Sequence, residues 1–133
     1  MYEFHGWIRL SDSTYESERE VLERGVDEVR REIDAITWTT AGFDIVAYNW
    51  GYFLRLTGLM LRNRGESDRI DELLALIADR LPGSYGLVYD RSDEGDMPTP
   101  PGPGAFRVRV LARGKLVERL DPFLSPVQPT IED

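Results

Sequence analysis

The chain has 133 residues, no cysteine, one histidine and a formal net charge of −8. That length fits one domain, and the composition excludes disulfides, thiolate metal centres, cysteine nucleophiles and multi-histidine metal sites. Acidity disfavours nucleic acid and anionic membranes as partners and favours a basic protein.

Phe4, Gly6, Ile8 and Leu10 alternate with Glu3, His5, Trp7 and Arg9, which predicts a strand over 2–10 with one core face. Ser13 with Glu16, and Ser17 with Glu20, have capping-box spacing. A helix is predicted over 14–36, since Leu22, Val26, Val29, Ile33 and Ile36 make one stripe among charged residues. Gly25 inside it suggests close packing on a sheet. Residues 43–49 and 52–61 read as two strands of a hairpin joined at Asn49-Trp50-Gly51, where the glycine suits a positive φ. Ser67 starts a second helix, with Ile70, Leu73, Leu74, Ile77 and Leu81 as its stripe and Pro82-Gly83 as its stop.

Tyr85, Leu87 and Tyr89 alternate with Gly86, Val88 and Asp90 in a fourth strand. Acids, prolines and glycines over 91–104 mark a long exposed loop. Phe106, Val108 and Val110 alternate with Arg107 and Arg109, a fifth strand whose arginine face is read as solvated. Residues 116–120 pair back as a sixth. The tail 121–133 carries Pro122, Pro126 and Pro129 and reads as extended. The order β-α-β-β-α-β-β-β is α+β: a mainly antiparallel sheet of five to six strands with two helices packed on it. Residues 1–133 form a single domain with its core over about 2–120.

Chemistry-bearing motifs are sparse. His5 reads as a strand histidine bonded to a neighbour, or as one at an interface. Pro82-Gly83-Ser84-Tyr85-Gly86 lacks the first glycine of a nucleophile elbow and leads from helix to strand, the wrong way round. Asp90-Arg91-Ser92-Asp93-Glu94-Gly95-Asp96 resembles the opening of a calcium loop, but the twelfth position is Pro101 where a bidentate glutamate is needed. No catalytic residue, metal site or cofactor site is assigned. The first helix has an acidic face, which is either solvated or a docking surface for a basic protein. Trp50 lies in a connector, where an aromatic is less easily buried and suits an interface.

Phe4-His5-Gly6-Trp7, the hairpin Asn49-Trp50-Gly51-Tyr52-Phe53-Leu54-Arg55-Leu56-Thr57-Gly58, Asn63-Arg64 and Pro82-Gly83-Ser84-Tyr85-Gly86-Leu87-Val88-Tyr89 occur in this order. Together they resemble the α+β immunity-protein family numbered seventh among those of bacterial polymorphic toxin systems. The resemblance extends from about residue 2 to 120. It implies a non-enzymatic cytoplasmic antitoxin that binds and neutralises a cognate toxin C-terminal domain encoded nearby. The N-terminal residues, which lack a basic stretch followed by an apolar one, agree with the cytoplasm. Charge complementarity makes the expected toxin a basic enzyme such as a nuclease. The expected contact residues are Glu16, Glu20, Glu23 and Asp27, Trp50 as an anchor, and Asp93, Glu94 and Asp96. The chain itself is expected to be a monomer or weak homodimer. The alternative is an acidic adaptor or scaffold domain with a non-toxin protein partner.

Overall fold

The computed structural model describes residues 1–94 and 105–120, for Leu120 the backbone alone. The elements are β1 (Tyr2–Leu10), α1 (Arg19–Asp34), β2 (Ala41–Tyr48), β3 (Gly51–Met60), α2 (Glu66–Arg80), β4 (Tyr85–Ser92), β5 (Arg107–Ala112) and β6 (Lys115–Leu120). They form one six-stranded sheet in the order β2-β3-β1-β4-β5-β6, with every neighbouring pair antiparallel. The α+β order expected from the sequence is the observed one.

One face of the sheet carries both helices. Alternation puts Tyr2, Phe4, Ile8 and Leu10 of β1, and Leu54 and Leu56 of β3, on that face, and all are buried. They meet Val26, Val29 and Ile33 of α1 and Ile70, Leu73, Leu74 and Ile77 of α2 in one apolar cluster. Such a stripe forms because positions three and four apart on a helix share a side. Phe4 stacks on both Trp38 and Phe43, with ring centroids 6.0 and 5.7 Å away.

Three local expectations are corrected. α1 begins at Arg19 rather than near residue 14, and Glu18 at its N-cap makes no side-chain cap. The capping boxes do not form. Instead the Asp12 carboxylate accepts hydrogen bonds from Ser17 Oγ at 2.6 Å and Glu18 N at 2.8 Å. Short polar side chains that bond nearby backbone compete with helix, and here they shorten it. Gly25 packs against Leu81 at the end of α2, where a methyl group would overlap, and not against the sheet. At the β2–β3 turn, Asn49 (φ 51°) and Trp50 (φ 66°) take the positive φ, and Gly51 is the first residue of β3.

The fourth correction concerns β5. Val108 and Val110 lie on the helix-free face, and Arg107 and Arg109 point under α2, only 2% and 4% exposed. The arginine face is therefore the inner one. The reason is Asp90 on β4, fully buried beside them. Arg107 donates to it twice, from Nε at 3.0 Å and NH2 at 2.9 Å, and Arg109 NH1 donates at 3.4 Å. Tyr2 Oη donates at 2.7 Å. Arg109 NH2 also reaches Asp71 of α2 at 2.9 Å, and Glu118 lies 3.5 Å from Arg107. Charges are buried only when paired and hydrogen-bonded, and this cluster supplies both.

Candidate functional site

The residues singled out in the sequence fall into two groups at opposite ends of the sheet. Glu16 is exposed in the segment before α1, and Glu20 and Glu23 are in its first turns. Asp27 lies further along the exposed side of that helix. The β2–β3 turn approaches the start of α1, so a groove of about 370 Å³ opens between Arg19, Leu22 and Glu23 on one side and Tyr48, Trp50 and Tyr52 on the other. Trp50 is 91% exposed and Tyr48 is 72% exposed. Arg19 pairs with Glu23 at 3.0 Å, whereas Glu16, Glu20 and Asp27 make no ion pair among the described residues. Two other acids of α1 are turned inward to α2, Glu28 to Arg80 and Glu32 to Arg69, both at 2.7 Å.

Asp93 and Glu94 sit at the far end. The length of β1, roughly 27 Å at about 3.3 Å per residue, separates them from the hairpin turn. Asp93 Oδ1 accepts from the Met1 ammonium at 2.6 Å, and Glu94 pairs with the same ammonium and with Arg62. The ammonium's hydrogen bond holds the Asp93 carboxyl below its ordinary range. These two acids serve the molecule's own end-to-end contacts and do not join the hairpin group. Asp96 lies outside the described residues.

The remaining polar candidates are engaged in the fold. His5 Nε2 lies 2.8 Å from Glu3 and its Nδ1 lies 3.0 Å from Thr57 Oγ1. Burial acts against the Glu3 carboxylate, but hydrogen bonds from His5 and Arg91 hold it below its ordinary range. Ser84 Oγ accepts from Ser11 N at 3.0 Å and donates to Ser11 O at 3.3 Å, which ties the α2–β4 link to the end of β1. Asp90, read from the sequence as part of an acidic loop, lies on β4 and accepts four hydrogen bonds in the interior. Burial and the Asp90 charge push the Tyr2 phenol far above its usual range. Among the described residues no group of three His, Cys, Asp or Glu is arranged to hold a metal ion, and no helix is long and apolar enough to cross a membrane.

Sequence reasoning missed the contacts made between strands on the helix-free face. Arg9 reaches across to Gly51, and its guanidinium lies 5.2 Å from the Phe53 ring centroid. Trp7 and Tyr85 meet edge to face, with centroids 6.3 Å apart. All four belong to the helix-free face. The signal was available, because each occupies the odd phase opposite the core residues of its strand.

The hairpin end therefore offers exposed Tyr48 and Trp50 across a groove from the Arg19–Glu23 pair. The sequence matches the family described as immunity protein 7 over residues 1–133. Comparison with curated proteins and with solved structures finds no significant match.

Proposed function

The chain belongs to the immunity protein 7 family, and from that premise we propose that it neutralises its toxin by direct contact at the hairpin end. Glu16, Glu20, Glu23 and Asp27 present negative charge to a basic toxin, such as a nuclease, and Trp50 is the anchor. The toxin is the C-terminal domain of a protein encoded nearby, met in the cytoplasm before export.

The observation that carries this reading is Trp50 itself. Turns of this kind favour Asn-Gly, because both central residues need positive φ. A tryptophan held there costs on the order of 1 kcal/mol of backbone strain, and its side chain is left in solvent. Among the described residues Trp50 makes no side-chain hydrogen bond or ring contact that recovers that cost, whereas a tryptophan at an interface is a common centre of binding energy. Trp50→Gly is expected to raise stability by about 1 kcal/mol and to weaken toxin binding by roughly 30-fold or more. Chemical denaturation and calorimetric titration measure the two effects separately.

The functional test is growth. Expression of the neighbouring toxin domain in a sensitive host kills, and co-expression of this chain rescues. Killing without rescue removes that domain as the target. Lysine at Glu20, Glu23 and Asp27 is expected to slow association and flatten its salt dependence, because exposed charges act mainly on the on-rate. Unchanged kinetics would remove the acidic side of α1 from the interface.

A further inference from the structure

The helix-free face carries charge opposite to that of the whole chain. Strand pairing places Arg9, Arg55, Arg91, Lys115 and Arg119 there, against Glu3 and Asp44. Both acids are taken: Glu3 by Arg91 at 2.9 Å and Asp44 by Arg55 at 2.5 Å. Arg9, Lys115, Arg119 and the turn residue Arg113 have no carboxylate partner among the described residues. A chain of net charge −8 thus presents a locally positive surface.

That surface is also apolar. Because Asp90, Arg107 and Arg109 occupy the inner side of β4 and β5, Leu87, Val108 and Val110 are turned outward beside Trp7 and Tyr85. Trp7 is 44% exposed and Tyr85 is 47% exposed. Arg9, Tyr85 and Arg113 line one groove of about 450 Å³, together with Ser11, Ser13 and Thr14. Tryptophan, tyrosine and arginine in one cluster is the composition of interface centres, and uncompensated guanidinium groups bind carboxylates in paired, directional fashion.

We propose that the toxin footprint extends past Trp50 onto this face, where Trp7 and Tyr85 receive an apolar side chain and Arg9 and Arg113 receive a carboxylate of the toxin. The proposal rests on the toxin-binding reading above and adds the kind of toxin segment the second surface takes: one that is acidic and apolar together. A partner seated at the hairpin end would then meet acids on its α1 side and arginines on its sheet side. That arrangement admits one orientation, since rotation of the partner would set like charges against each other.

The test uses the full-length chain and the toxin domain encoded beside it. Arg9→Gln with Arg113→Gln is expected to weaken calorimetric affinity at least tenfold and to make it less salt-dependent, with the thermal midpoint unchanged. Affinity within twofold of the parent overturns the proposal. Oxidative footprinting of the unaltered chain gives a second readout that needs no variant. Trp7 and Tyr85 are expected to be protected in the complex, and equal labelling in free and bound chain overturns the surface. If the parent binds and only these readouts fail, the proposed function stands and this surface falls. If the parent binds no toxin domain, both fall.

Discussion

The helix-covered side of the sheet has two halves built on different physics. On β3 and β1, Phe4, Ile8, Leu54 and Leu56 make an apolar layer. On β4 and β5, Asp90, Arg107 and Arg109 make an ionic cluster equally sealed from water, set beside buried Val88 and Leu111 and reaching Asp71 of α2. The apolar half gains stability from area removed from water and is insensitive to which apolar residue does the filling, within limits of volume. The ionic half is all or none, since each charge is tolerable only while its partners remain. The outer surface follows from that difference. With charges inside, β5 turns Val108 and Val110 outward beside Tyr85, Leu87 and Tyr89 of β4, and that half of the sheet becomes the sticky one.

The largest effect should come from breaking the ionic half at its centre. Asp90→Ala removes the buried carboxylate that Arg107, Arg109 and the Tyr2 hydroxyl share, and the expected loss is about 3–5 kcal/mol, read by chemical denaturation. Leu54→Ala in the apolar half should cost about 2–5 kcal/mol with native packing retained around the cavity. If Asp90→Ala costs under about 1 kcal/mol, the two halves do not differ as argued. A sharper version replaces the Asp90 end of the cluster and keeps the Arg109–Asp71 pair. Asp90→Leu with Arg107→Met and Tyr2→Phe should recover most of the loss, because a matched apolar set of similar volume is often neutral.

The smallest effect is the part of the pH response that comes from Asp71 in the ionic half. Burial raises the Asp71 carboxyl above its ordinary value of 3.8, although Arg109 acts in the opposite sense. A raised pKa means that the folded chain takes up the proton before the unfolded chain does. Asp71 therefore works against stability above its folded pKa, and that penalty fades as pH falls through the folded value towards 3.8. Asp71→Asn should remove this slope from a plot of unfolding free energy against pH. Equal slopes in parent and variant would refute the assignment.

The same contrast marks what could be read beforehand. Element order, the α1 and α2 stripes and the core phase of β1 and β3 were legible, because period and phase agree where apolar residues face one way. In β5 the period was legible and the phase was not. Phe106, Val108 and Val110 are as apolar as any inner row, and only Asp90 reveals that Arg107 and Arg109 belong inside. That contact spans 17 residues of sequence. A lone aspartate ending the apolar run Tyr85–Tyr89 was the available sign. At the candidate site, Trp50 could be singled out as a tryptophan in a turn. Its grouping with Glu20 and Glu23, and the remoteness of Asp93 and Glu94, depend on which sheet end each loop serves, which is a property of register.

The placement of β1 bears on how the molecule is made. It precedes the other five strands in the chain yet lies in the interior of the sheet, paired with Tyr52–Met60 on one side and Tyr85–Ser92 on the other. During translation its two edges stay open until those distant segments leave the ribosome, so few contacts can form early and the topology favours slow, late closure. For an antidote, protection would then lag synthesis by the time needed to complete and close the sheet.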